Sequence, residues 1–299
     1  MEKISGRKKG ILYVAISALG FSIIPILATL GFSADMAAGT MLFYRFLIAF
    51  FLFLIYCLVK REPLLFQEKK SYACVLGAGA IYTVQCTLYF SAFQYISAAV
   101  GEIIFYIYTV FVAILSVIFL KEGITKFKVI GIITALFGIG TILNAPGGGV
   151  QARGVILVVI SAMACAGYFI FNKKFTSEIS TPVLMTYICA VCCVLTFLFS
   201  LFRGELTVPD QWSVWVNIGI LAVWSTVIGL FCLMKGLKLL EAGMASLVSL
   251  SEPIFTITLS YLILRTALTP VQLAGAAIVI AAIAIYDKKQ TPSAEKAER

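Results

Sequence analysis

Ile96-Ser-Ala-Ala-Val-Gly-Glu-Ile-Ile-Phe-Tyr-Ile-Tyr-Thr-Val-Phe111 and Leu240-Glu-Ala-Gly-Met-Ala-Ser-Leu-Val-Ser-Leu-Ser-Glu-Pro-Ile-Phe255 are one stretch written twice. Ala98 falls on Ala242, Phe111 on Phe255, Leu115 on Leu259, Leu120 on Leu264, Thr125 on Thr269 and Gly131 on Gly275, always 144 positions apart and without a gap. The same offset pairs Gly10 with Gly154, Val14 with Val158, Ile16 with Ile160, Ser17 with Ser161 and Ala18 with Ala162. The chain is a duplication, and an internal repeat constrains a fold before any local reading does.

Working outward, 61% of the 299 residues are hydrophobic and only 12% are charged. That is too apolar for a soluble domain of this length. Apolar runs of about 20 residues recur from end to end, each long enough to cross a ~30 Å hydrocarbon core as a helix. Ten spans are expected, near Ile11–Leu30, Ala37–Val59, Tyr72–Phe93, Ala98–Leu120, Phe127–Asn144, Gly154–Phe171, Pro182–Phe202, Trp212–Met234, Ala242–Leu264 and Val271–Tyr286. The fold class is therefore an all-α integral membrane protein. The first span is too long for a cleavable signal and lacks a small-residue cleavage site.

Pro146-Gly-Gly-Gly149 is the one flexible stretch between spans. It divides the chain into a first five-helix repeat (1–146), a linker (147–152), a second repeat (153–287) and a polar tail (288–299). The net charge of +9 does not signal nucleic acid, because the basic residues sit in the loops between apolar runs. Nineteen Lys and Arg fall on one side, in the N-terminus, alternate loops and the tail; Arg153, Arg203 and Arg265 fall on the other. That asymmetry predicts both termini in the cytoplasm. Five spans per copy is an odd number, so the second copy is expected to be inverted relative to the first.

Several short motifs recur in a known family. They are Ser97-Ala98-Ala99 entering span four, Leu120-Lys121-Glu122 with Thr125 and Gly131, Ser251-Glu252-Pro253-Ile254-Phe255 in span nine and Tyr44-Arg45-Phe46 in span two. On these the chain resembles the EamA-type members of the drug/metabolite transporter superfamily over nearly its whole length. It departs from them at Thr109, where the family often has Pro, and at Thr266, where it often has Glu. The resemblance implies a secondary transporter of a small metabolite, amino-acid-like or drug-like compound. It would work by alternating access in the plasma or inner membrane, with export the commoner direction. A lipid or polyprenyl-carrier flippase is the alternative. Expected partners are a small-molecule substrate, the lipid bilayer and protons, with the chain a monomer or homodimer.

Three ionisable residues lie well inside spans: Arg45, Glu102 and Glu252. A charge near the bilayer centre costs at least about 2.5 kcal/mol, so each should face a cavity or a partner, Arg45 with Glu102 being one such pair. Tyr106 and Thr109 share the face of Glu102, and Tyr82, Gln85 and Tyr89 share a face of span three. The short link between those spans should bring the two faces together as a pocket with aromatic walls, a carboxylate and an amide. Aromatic faces hold cations, so a cationic or zwitterionic substrate is expected. Glu102 is the expected coupling group, exchanging a proton for substrate. Glu252, Pro253 and Pro25 are the expected coupling or gating positions, the prolines because they bend helices, with Glu252 weighted toward architecture. The copies are not chemically equivalent: Glu102 maps to Ser246, Glu252 to Tyr108 and Arg45 to Cys189.

Small residues in spans five and ten (Gly131, Ala135, Gly138; Ala274, Gly275, Ala277, Ala281) predict close packing between those helices. Cys189 and Cys192 have redox spacing but lie in an apolar span. There is no histidine, and Gly147–Gly149 lacks the Lys of a phosphate loop, so no metal, cofactor or ATP is expected. No nucleophile–base constellation sits at matching depth, which disfavours an enzyme.

Overall fold

The computed structural model describes residues 2–66, 68–121, 151–240, 242–249, 252–265 and 269–287, together with six positions between 130 and 141. Among them there is no strand. The helices are α1 (Glu2–Phe21), α2 (Ile24–Ser33), α3 (Ala38–Lys60), α4 (Lys69–Ala92), α5 (Ala98–Phe105) and α6 (Tyr108–Leu120) in the first copy. The second copy has α7 (Ala152–Phe175), α8 (Thr181–Phe202), α9 (Trp212–Ile220), a π-helical segment (Leu221–Leu230), α10 (Phe231–Leu239), α11 (Ala242–Val248), α12 (Glu252–Leu264) and α13 (Pro270–Asp287).

Seven of the ten expected spans appear as helices long and apolar enough to cross a membrane. Of the others, the ninth is divided into α11 and α12, and the tenth is the 18-residue α13. Most of the fifth span lies outside the described residues, as do 147–150 of the linker and the tail, so the expected packing of spans five and ten is not covered.

The duplication is visible in the element boundaries. The starts of α5 and α6 at 98 and 108 and the end of α6 at 120 become 242, 252 and 264 in α11 and α12. Lys121 and Arg265, which close those helices, are themselves equivalents, and both adopt the left-handed conformation, with φ of 57° and 55°. That conformation ends a helix by turning the chain away from its axis.

Contacts repeat as well. A Cβ on Gly10 would meet Leu240 at 2.7 Å, and one on Gly154 would meet Ile96 at 2.8 Å. The two pairs are related by the repeat offset, so one glycine-mediated contact is made twice. Small residues permit such backbone approach in lipid, where apolar burial supplies no drive.

The central pair of helices, α3 and α8, are also repeat equivalents. Thr40 at the start of α3 donates to the carbonyl of Glu205 just beyond α8 (2.6 Å), whereas Cys57 near the end of α3 meets Thr186 near the start of α8 (3.5 Å). The equivalents therefore run antiparallel against each other. In the same way α7 packs on α4, Ser161 donating to the Gln85 carbonyl (2.8 Å), and α10 packs on α1 at Gly236 and Val14.

These contacts also sort the charges by end. One end gathers Lys60, Arg61, Lys173, Lys174, Lys235 and Lys238 through bonds such as Lys173 Nζ to the carbonyls of Leu237 (2.8 Å) and Leu240 (2.7 Å), and Ser180 to Glu62 (2.9 Å). Lysines beside carbonyls at helix C-termini satisfy acceptors that have no intrahelical donor. The opposite end carries Arg153, stacked on Tyr95 at 4.8 Å, and Arg203, paired with Glu205 at 2.6 Å.

Candidate functional site

Three spans are broken, and the breaks meet. The first falls between α1 and α2, with Pro25 in the first turn of α2. The second falls at Tyr106–Ile107, and the third between Val248 and Glu252, with Pro253 the second residue of α12. The prolines mark two of the three, as the sequence predicts. The middle break has no proline: Thr109 stands at the position equivalent to Pro253, and its hydroxyl donates to the Tyr106 carbonyl at 2.8 Å.

A break frees backbone carbonyls, and in a membrane protein these must find donors inside the protein. At two of the breaks the donor comes from another broken helix. Thr256 of α12 donates to the Ser22 carbonyl (3.0 Å), and Tyr106 donates to the Ser249 carbonyl (2.7 Å). The Tyr106 hydroxyl also lies 2.9 Å from Glu252 Oε2, so one buried phenol ties the second break to the third.

All three breaks border one cavity, which holds about 610 Å³ of empty space, its open part included. Phe21 and Ile24 flank the first break, Phe105 and Tyr108 the second, and Ser249 and Glu252 the third; all six line the wall. Tyr82, Gln85 and Tyr89 line it from α4, Tyr168 from α7 and Arg45 from α3. The wall is largely aromatic. Tyr89 packs on Phe105 (4.5 Å), Phe105 on Tyr108 (5.3 Å), Tyr108 on Phe169 (5.6 Å) and Tyr82 on Tyr168 (4.9 Å).

The expected meeting of spans three and four occurs: Tyr89 donates to Glu102, and both are buried. Glu102 itself sits one layer behind the wall, whereas Glu252 is in it. Both carboxyl groups are buried, and Glu102 Oε1 has no donor among the described residues. Arg45 does not pair with Glu102. Its Nε donates to Thr226 of the π-segment at 2.7 Å, and its Cζ lies 5.3 Å from the Phe46 ring centre and 5.8 Å from that of Phe90. Gln85 lines the cavity and accepts a weak bond from the Cys86 thiol at 3.4 Å.

Sequence reasoning did not single out Tyr168, Phe169, Cys165 or Phe105. Cys165, Tyr168 and Phe169 share one helical face, a signal that was available. Tyr108 could have been found through the repeat, as the equivalent of Glu252.

Comparison with known proteins places these observations. The profile of the EamA-like transporter family matches twice, over residues 8–144 and 152–286. An uncharacterized transporter of Archaeoglobus fulgidus is 30% identical over 196 residues, 66% of this chain and 70% of that protein. The uncharacterized transporters YetK and YcbK of Bacillus subtilis are 26% and 23% identical, covering 84% and 92% of this chain and 78% and 91% of their own. One crystal structure superposes with a TM-score of 0.72 at 17% identity, covering 93% of this chain and 97% of that one, a likeness of fold.

Proposed function

We propose that this chain, which belongs to the EamA-like transporter family, is a proton-coupled secondary transporter that exports a small organic solute by alternating access. The observation that carries the reading is the convergence of three helix breaks on one aromatic cavity with a carboxyl group in its wall. Discontinuous helices at a repeat interface are the usual setting for substrate and coupling-ion sites. The antiparallel packing of the equivalent helices α3 and α8 supports two inverted five-helix repeats, ten helices in all. Rocking one repeat against the other would then expose the same cavity to either side. The basic end of the bundle is assigned to the cytoplasm of a bacterial-type inner or plasma membrane, with both termini there. A reporter fused after Lys174 should read as cytoplasmic and one after Gly147 as external; both on one side would contradict the inversion.

The coupling follows from burial. Glu102 and Glu252 are both buried with no cation paired to either among the described residues. An unpaired buried carboxylate is costly, so the empty site favours a proton on at least one of them. Substrate entering against Glu252 displaces that proton, and its departure lets the proton return. Tyr89 and Tyr106 hold the two groups in place. Glu252 is thus the substrate-facing member and Glu102 its proton partner, a larger role for Glu252 than its sequence position beside a proline indicates.

The test is transport by the purified protein in liposomes under an imposed pH gradient, with a substrate found by thermal-shift screening of amino acids, nucleosides, polyamines and cationic drugs. Glu102→Gln should abolish the dependence on the gradient while the protein folds and binds. A variant that keeps the wild-type pH dependence removes Glu102 from coupling. The flippase reading has one observation behind it, an apolar groove on the outer face lined by Ile23, Val216, Gly219, Ile220, Val223 and Trp224. Movement of a labelled lipid, with none of a soluble solute, would favour it.

A further inference from the structure

We propose that Arg45 is an anion subsite of the cavity, and that the transported solute is amphoteric: a compact carboxylate or similar oxyanion held by Arg45, and a cationic group held near Glu252. The inference rests on the transporter reading above and specifies its substrate.

Arg45 is the largest of the fully buried side chains, and it lines the cavity. An arginine side chain has five donor hydrogens and no acceptor. Only Nε is used; among the described residues Nη1 and Nη2 have no hydrogen-bond partner and no carboxylate lies within 4.0 Å. A buried guanidinium with two open nitrogens is costly in a membrane span, where such groups are found paired or facing a pathway. The two open nitrogens form the planar fork that matches a carboxylate bidentately.

The rest of the structure holds the fork rather than satisfying it. The rings of Phe46 and Phe90 lie within cation–π distance of the guanidinium. Thr226 accepts from Nε and donates its own proton to the Leu221 carbonyl five residues back (3.1 Å), a reach set by the π-helical winding of Leu221–Leu230. The equivalent residues 77–86 of α4 are regular α-helix, and Thr226 corresponds to Tyr82. The π-segment is therefore a departure of one copy from its twin, located where it anchors Arg45, and such departures collect at functional sites. The aromatic side chains line the same cavity as Arg45 and Glu252 and suit an apolar body bearing both groups.

The test uses three probes with one body: phenylalanine, phenethylamine, which lacks the carboxylate, and 3-phenylpropionate, which lacks the amine. Binding to the full chain in lipid nanodiscs is measured by thermal shift and equilibrium titration. Wild type should bind phenylalanine about tenfold to a hundredfold more tightly than phenethylamine, the range for charge-assisted hydrogen bonds. Arg45→Gln should erase that margin while binding phenethylamine at least as well as before, and Arg45→Lys, a charge without the fork, should keep part of it. Should the Arg45 variants fail to fold, Thr226→Val, which removes only the anchor, should narrow the margin. The proposal is overturned if wild type binds phenethylamine as tightly as phenylalanine, if the margin persists in Arg45→Gln, or if neither carboxylate probe binds. In those cases pH-driven transport of another solute that is lost in Glu102→Gln leaves the transporter reading standing; its absence would remove that reading as well.

Discussion

The two broken helices at the centre, Ala98–Leu120 and Ala242–Leu264, are the same object built in two ways. Their boundaries coincide under the repeat, and both break after the first two turns. In the second copy a proline follows the break; in the first, Thr109 stands there and uses its hydroxyl on the Tyr106 carbonyl. In the first copy the carboxyl, Glu102, precedes the break; in the second, Glu252 follows it. The break therefore does not depend on proline. The Ser249 carbonyl in the second copy is met from outside its own helix, by Tyr106, and the Tyr106 carbonyl in the first from within it, by Thr109. The same break is thus held in two ways, with its carboxyl on either side.

That comparison can be broken most severely at Tyr106, the one side chain that reaches from the first break to the third. Tyr106→Phe removes the one hydroxyl that meets both the Ser249 carbonyl and Glu252. It should cost about 3 kcal/mol, the upper range for a buried polar pair, read as a lowered unfolding midpoint in denaturant. Tyr108→Phe, on the other flank of the same break, should cost far less. Equal losses would mean that the crossing is not tied at Tyr106.

The symmetry itself is sharpened by Gly10→Ala and Gly154→Ala. The new Cβ atoms would meet Leu240 at 2.7 Å and Ile96 at 2.8 Å, with the Cβ atoms of Leu239 and Tyr95 close behind at 3.0 and 2.9 Å. Each should cost about 1–2 kcal/mol through overpacking. The two losses should match; one tolerated and one severe would show that the equivalence is nominal. Thermal midpoints of the two variants in one detergent decide it.

The smallest effect is expected where the copies are made alike. Thr109→Pro gives the first copy the residue that the second already has, at the second position of α6, where a helix tolerates proline. Both Thr109 bonds to the Tyr106 carbonyl, from the N–H (3.1 Å) and the hydroxyl (2.8 Å), are lost. The fixed φ offsets part of that, so the change should cost about 1 kcal/mol. A loss near the ~3 kcal/mol of an interior helix proline would mean that the two breaks differ in kind.

Much of this was readable along the chain. Run length and composition specify membrane helices, because a helix that spans hydrocarbon must be apolar for its whole length. The constant offset specifies the duplication, Pro25 and Pro253 mark two breaks, and helical facing brings Tyr89 to Glu102 across a short link. All of these depend on residues close in sequence or on an alignment of the chain with itself. Tertiary structure decided the rest. Arg45 finds Thr226, 181 positions away, rather than Glu102, and does so through a π-segment that no pattern in Leu221–Leu230 announces. The second break forms without a proline, its Tyr106 carbonyl met by the Thr109 hydroxyl, and Tyr106 points at Ser249 from 143 positions away. Periodicity tells which side of a helix is special. It carries no information about which other helix that side will meet, and in lipid, where every face can be apolar, only close packing and hydrogen bonding between distant segments make that choice.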